Sequence, residues 1–107
     1  MSIRLDKPWR GVDEIESLGG QLGVFELGNA EGEVLYVGFA GGRSLFGLRE
    51  VVEQTLAEVE GAVGFRVEIT TAYRTRYQEL LMVHVADHGG LPSANPPEPA
   101  LGKLSPA

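Results

Sequence analysis

Two short apolar runs, separated by a segment rich in glycine and asparagine, constrain the fold of this chain most. The runs cover Leu22–Leu27 and Val34–Phe39, and each carries a glycine-containing triplet, Gly23–Phe25 in the first and Tyr36–Gly38 in the second. The segment between them, Gly28–Glu33, contains the residue types that reach the positive-φ conformations of hairpin loops. The pattern therefore predicts a β-hairpin in which the two triplets lie on antiparallel strands.

Hydrophobic periodicity predicts the elements on either side of this hairpin. A short helix over Asp13–Leu18 precedes it, and a helix from Ser44 to about residue 60 follows, with an apolar stripe on one side. Gly64–Thr70 alternates apolar and polar residues, as a half-buried strand does. Thr71–His88 reads as the last helix. Because residues 80–86 are apolar in every direction, we expect this helix to be covered on more than one side.

The length and the position of the prolines predict one domain over residues 1–107. Its core is expected at about residues 12–90, preceded by an irregular arm that the single tryptophan, Trp9, anchors to the body. The tail, residues 91–107, holds five of the six prolines. It is too rich in proline to form a helix or an inner strand, and we expect it to follow the surface or to lack fixed structure.

Composition narrows the classes of function. The chain has no cysteine, which excludes disulfides, thiolate metal sites and a cysteine nucleophile. No apolar run approaches the roughly 20 residues of a membrane span, and the first residues lack the apolar region of a signal peptide. A cytoplasmic location is therefore expected. The formal charge of −6 weighs against general binding to phosphate backbones. Arg66, Arg74 and Arg76 cluster in the second half of the chain, however, and an arginine-bearing cleft would leave nucleic acid open as a partner.

The two triplets and the order of elements resemble the GIY-YIG nuclease superfamily over roughly residues 20–95. The resemblance implies an α+β fold with a small antiparallel three-stranded sheet flanked by helices. It also implies cleavage of nucleic acid phosphodiesters with a divalent metal, Mg²⁺. That chemistry needs a base for water, a cation for the developing charge and a carboxylate for the metal.

Some of the catalytic groups that the resemblance implies are present and others are replaced. Tyr36 matches the tyrosine that opens the second triplet, whereas Phe25 stands where the first triplet ends in tyrosine and has no hydroxyl. The family's arginine has two candidates here, because Arg43 comes too early by the family spacing and Arg49 too late. Leu48 falls near the expected position.

Glu79 is the best candidate for the family's metal-binding glutamate. It shares a helix side with small and apolar residues, where an unpaired carboxylate would be costly. A metal ion is one explanation, and an ion pair with Arg76, one turn back, is the other. Asn95 stands three or four residues further along than the family's asparagine, and a loop turn before Pro96 explains it equally well.

Two other patterns each have two readings. His84 and His88 lie four residues apart on one helix face, a spacing that binds metal in some proteins, yet helix-end histidines also hydrogen-bond to nearby carbonyls. The segment Gly38–Ser44 comes before a helix, so it could hold a phosphate at the helix N-terminus. It lacks the spacing and the lysine of a P-loop, and a plain strand-to-helix turn accounts for it as well.

Two functions of different classes follow. The first is a structural or interaction module that kept a GIY-YIG-like fold without efficient nuclease activity. Phe25 and the displaced arginine favour this hypothesis. The alternative is a divalent-metal-dependent endonuclease with an altered site, in which Tyr36 and Arg43 or Arg49 act with Glu79 as the metal ligand. The sequence does not decide the substrate or the partner.

Overall fold

The protein folds as an antiparallel sheet with one long helix on each face. The computed structural model describes residues 4–42 and 46–96. Its elements, in chain order, are β1 (Arg10–Gly11), a 3-10 helix (Val12–Ser17), β2 (Gly23–Gly28), β3 (Val34–Ala40), α1 (Gly47–Glu58), β4 (Gly64–Ile69) and α2 (Tyr73–His88).

The predicted hairpin is present. Strands β2 and β3 pair antiparallel, with Phe25 opposite Gly38 and Gly23 opposite Ala40. The Asn29 side chain closes the loop, because its Oδ1 accepts hydrogen bonds from the backbone N–H groups of Glu31 and Glu33. The prediction drawn from the two triplets is therefore confirmed.

The expected count of three strands is wrong, because the described part of the sheet has four, in the order β1-β4-β2-β3. Strand β4 pairs antiparallel with the free side of β2. The fourth strand, β1, comes from the arm that was expected to be irregular, and it pairs Arg10 with Phe65 and Gly11 with Gly64. A two-residue strand has no periodicity from which it can be predicted.

One face of the sheet, here called the α1 face, packs against α1 and the 3-10 helix. Its centre is a cluster of buried apolar side chains: Ile15, Leu18, Phe25, Leu27, Ala40, Leu48, Val52 and Phe65. Tyr36 and Val67 pack against this cluster. Burial of this kind supplies most of the stability of a small domain, because helices as short as α1 are marginal on their own.

The opposite face, here called the α2 face, packs against α2 and the N-terminal arm. Its buried residues are Leu5, Val24, Val37, Leu80 and Leu81. Because Leu5 is almost fully buried, the core begins well before residue 12. Helix α2 ends at His88, as predicted, and Gly89 follows it in the left-handed conformation. Within its apolar stretch, Leu80, Leu81 and Val83 are buried and Ala86 is exposed.

Close packing explains the glycines of both triplets. A Cβ atom on Gly23 would lie 2.2 Å from the backbone oxygen of Glu68 on the neighbouring strand, and one on Gly38 would lie 2.5 Å from the Phe25 ring. Neither position leaves room for a side chain. The glycine pattern that carries the resemblance is thus also what this sheet requires for its own packing.

The start of the tail belongs to the fold. The Ala94 N–H donates to the Leu35 carbonyl, and the Asn95 side chain both accepts from the Val37 N–H and donates to the Val37 carbonyl, each over 2.9 Å. Asn95 therefore acts as a substitute for a neighbouring strand and covers the outer edge of β3.

Candidate functional site

Tyr36 lies on the α1 face with its ring against Phe25. The two ring centroids are 6.0 Å apart. Burial raises the pKa of the Tyr36 hydroxyl above its ordinary value, and the Glu58 carboxylate raises it further. A tyrosine that deprotonates water needs the opposite shift, toward neutral pH.

The arginine candidates do not complete a site with Tyr36. Arg43 lies outside the described residues. Arg49 is exposed on the first turns of α1, where it lines a shallow cleft with Phe46, Glu50 and Glu53. Leu48, at the position nearest to the family spacing, is 1% exposed and belongs to the apolar cluster of the α1 face.

Glu79 lies on α2, the helix that packs against the opposite face of the sheet. Its side chain is 44% exposed, and its Oε1 lies 3.5 Å from an Arg76 guanidinium nitrogen. The ion pair that was one of the two explanations for this carboxylate is present. Arg76 also donates to both carboxylate oxygens of Glu68, over 2.9 and 3.1 Å.

The sheet therefore stands between the two best-placed catalytic candidates. Tyr36 packs with α1 on one face, and Glu79 belongs to α2 on the other. Among the described residues, no group of three or more His, Cys, Asp or Glu side chains is arranged to hold a metal ion. The structure does not bring Tyr36, Arg49 and Glu79 into one cleft.

Protein groups engage several described amides on either side of residues 43–45, in the segment that could hold a phosphate. The N–H groups of Leu48 and Arg49 at the start of α1 donate to the carbonyls of Gln21 and Gly19. The Gly42 N–H donates to the Tyr73 hydroxyl over 3.2 Å. The Leu48 and Arg49 amides belong to the first turn of α1, so these two are not free to bind an anion there. Ser44, from which the sequence predicts this helix to begin, lies outside the described residues.

The histidine pair forms the end of α2. The ring centroids of His84 and His88 are 4.4 Å apart. His84 Nδ1 lies 2.8 Å from the Gly90 carbonyl oxygen, which accepts its proton in the matching tautomer. Of the two interpretations of the histidine pair, His84 fits the one in which a helix-end histidine hydrogen-bonds to a nearby carbonyl.

An aromatic–arginine cleft, whose aromatic residues sequence reasoning missed, lies at the other end of α2. We use this name for the cavity at Phe39, Tyr73 and Arg74. The Phe39 ring stacks on Tyr73 with centroids 5.6 Å apart and an angle of 18° between the planes, and it meets Tyr77 edge-on at 5.0 Å. The Arg74 guanidinium lies 6.0 Å above Phe39.

The cleft is open and has room for a small ligand. Its volume is about 530 Å³, and Gly41, Gly42, Glu50 and Val51 complete its wall. Gly41 makes the close approach of the aromatic ring possible, because a Cβ atom there would lie 2.7 Å from the Tyr73 ring. Residues of both α1 and α2 line the cleft. Because these helices lie on opposite faces of the sheet, the cleft is at the β3 edge, where the two faces meet.

A buried ion pair was also missed. Glu26 is the only charged residue of the first apolar run, and its side chain is 8% exposed on the α2 face. The Arg66 guanidinium donates to it over 2.8 Å and stacks on Trp9 at 4.1 Å from the ring centroid. Burial raises the pKa of the Glu26 carboxyl despite the opposing charge of Arg66. The available signal was a carboxylate inside an otherwise apolar strand.

The fold and these sites define a small α+β domain with a four-stranded antiparallel sheet. A sequence comparison places the chain more narrowly: residues 3–87 match the domain of unknown function DUF7508, and the chain belongs to that family. No curated protein and no solved structure matches the chain. Within residues 4–42 and 46–96, neither helix is both long enough and apolar enough to cross a bilayer.

Proposed function

We propose that this chain is a divergent GIY-YIG-like domain that binds a partner without cleaving it, and that the aromatic–arginine cleft is its binding surface. The observation that carries the absence of cleavage is the separation of Tyr36 from Glu79 by the sheet. Phe25 adds to it, because its ring is fully buried and has no hydroxyl to position water.

The composition of the cleft supports single-stranded nucleic acid as the partner. Exposed bases stack on aromatic side chains regardless of sequence, and arginine adds a contact with the flat face of a base. Phe39 and Tyr73 are half-buried, so part of each ring is accessible, and Arg74 is exposed beside them. Because the chain as a whole carries a charge of −6, stacking must contribute more than phosphate contacts.

We expect no metal-dependent turnover when the protein is incubated with Mg²⁺ or Mn²⁺ and branched, single-stranded or duplex substrates. Removing one charge-stabilising donor costs on the order of 10²–10³ in rate, and this chain lacks more than one group of the family's set. Robust cleavage by the unmodified protein that disappears in a folded Glu79→Gln variant would establish the metal-dependent nuclease instead.

Binding of single-stranded nucleic acid at the cleft is expected to depend on the Tyr73 ring and on Arg74. Fluorescence anisotropy with a labelled single-stranded oligonucleotide should show weaker binding for Tyr73→Leu, since stacking is worth about 1–3 kcal/mol per base. Arg74→Gln should also bind more weakly. Arg4→Gln is the matched control: it removes the same charge at the opposite end of α2, where Arg4 pairs with Asp87. Equal loss in Arg74→Gln and Arg4→Gln would show that only net charge matters.

A further inference from the structure

Within residues 4–42 and 46–96, no strand lies beside the outer edge of β4 beyond the two residues that pair with β1. The N–H of Thr70 donates to the Leu22 carbonyl, so the backbone groups of Thr70 point toward β2. Because these directions alternate along an antiparallel strand, the N–H and C=O groups of Val67 and Ile69 point away from β2. In the described part of the chain, the β1 pairing stops at Phe65 and no backbone partner reaches these groups.

Proline explains why the arm does not close this edge. Continuing the register that pairs Arg10 with Phe65 would bring Pro8 opposite Val67. In such a pair, the residue opposite Val67 donates its backbone N–H to the Val67 carbonyl, and proline has no N–H to donate. The arm instead leaves the sheet, and the Lys7 carbonyl accepts a hydrogen bond from the Arg66 guanidinium over 3.2 Å.

A groove of about 470 Å³ runs along the open edge. It is lined by Lys7, Pro8, Arg10, Arg66, Val67, Glu68 and Ile69. The carboxylate of Glu68 is engaged by Arg76, whereas Lys7 makes no ion pair among the described residues. Ile69 is 62% exposed at the end of the strand. Arg10 and Arg66 are paired with Glu14 and Glu26, so Lys7 is the lining cation that has no ion-pair partner among the described residues. The groove thus offers backbone groups without a described partner, an apolar side chain and the positive charge of Lys7.

We propose that this edge binds an extended acidic peptide, which adds a strand to the sheet beside β4. Peptides that add a strand gain affinity from backbone hydrogen bonds and specificity from side chains beside the edge. Acidic side chains suit Lys7, whose charge no described carboxylate neutralises. A second copy of this chain fits less well, because a two-fold axis between Val67 and Ile69 would set two Glu68 side chains opposite each other. The other sheet edge, at β3, is already covered by Ala94 and Asn95.

The test is an NMR titration with a short synthetic peptide in which valine alternates with glutamate. We expect the amide resonances of Val67 and Ile69 to shift and their hydrogen exchange to slow. A peptide with the same side chains but alternate N-methylated backbone nitrogens should bind roughly tenfold more weakly, since it loses its donors. Replacing glutamate by lysine in the peptide should weaken binding as well.

Two protein variants complete the experiment. Pro8→Val restores the missing donor and lets the arm extend along β4, so we expect it to remain folded and to lose peptide binding. Lys7→Glu should lower affinity for the acidic peptide, with Arg49→Glu as an exposed control on the α1 side.

Equal binding of the N-methylated peptide, an unchanged Val67 amide at saturation, or self-association of the free protein through β4 would each overturn the proposal. Oligonucleotide binding at the aromatic–arginine cleft is measured separately and does not depend on this edge.

Discussion

Leu48→Arg is expected to unfold the domain rather than to restore a nuclease site. Leu48 is 1% exposed within the apolar cluster of the α1 face. Deleting the packing of a buried leucine costs about 2–5 kcal/mol, and an uncompensated buried charge costs about 3–5 kcal/mol more. Their sum is comparable with the roughly 5–15 kcal/mol that holds a typical domain together. Circular dichroism and chemical denaturation measure the outcome directly.

The controls for this substitution separate charge from position. Leu48→Met keeps the volume and the apolar character, so we expect a cost under about 1.5 kcal/mol. Arg49→Leu, at the adjacent exposed position, should leave the denaturation midpoint nearly unchanged. A stable Leu48→Arg protein would mean that the guanidinium escapes to solvent past the loop at Gly19–Gln21. That loop would then have to release the N–H groups at the start of α1.

The parts of this fold that could be predicted are those that have a local pattern. The hairpin is recognisable because Gly28–Glu33 has the composition of a turn and both flanking runs are apolar. Helix α2 is recognisable by its length and by Gly89, which takes the left-handed conformation at its end. Glycine spacing also carried the resemblance, and the structure shows that Gly23 and Gly38 are each needed for packing.

The features that could not be predicted depend on contacts between distant residues. The pairing of β1 joins positions more than fifty residues apart and has no periodicity of its own. Residues Arg66 and Glu68 alternate with apolar neighbours and so resemble a solvent-facing side. In the structure they face α2, where each has an ion-pair partner, Glu26 and Arg76 respectively. A single sequence does not show which polar residues meet.

The order of residues along the chain also does not show which face of the sheet each candidate site residue lies on. The resemblance supplies residue types in order along the chain, but a catalytic site needs them on one side of the sheet. Alternation along β3 sends Tyr36 to the α1 face and Phe39 to the α2 face. The aromatic ring that meets Tyr73 was therefore Phe39, a residue with no place in the family's motif.

Arg66→Met is expected to cost about 3–5 kcal/mol of unfolding free energy at neutral pH, because it leaves the Glu26 carboxylate buried without its partner. Arg66 also stacks on Trp9, so the variant removes a contact between the N-terminal arm and the sheet as well. The double variant Glu26→Gln with Arg66→Met should recover most of this loss, since it removes the buried charge itself. Arg4→Met breaks the exposed pair with Asp87 and should change stability little.

The pH dependence of the same variants tests the cause. Burial holds the pKa of Glu26 above its ordinary value in the folded protein, so the folded state binds this proton more tightly than the unfolded state. The stability contributed by Glu26 is therefore present below the ordinary glutamate pKa and is lost as the pH rises through the raised value. Removing Arg66 takes away the charge that lowers this pKa, so the loss in Arg66→Met should shrink as the solution is acidified and grow toward neutral pH. Denaturation curves of the wild type, Arg66→Met and the double variant, recorded from acidic to neutral pH, measure the difference in the free energy of unfolding. A deficit in Arg66→Met that does not change with pH would assign the effect to lost packing against Trp9 instead.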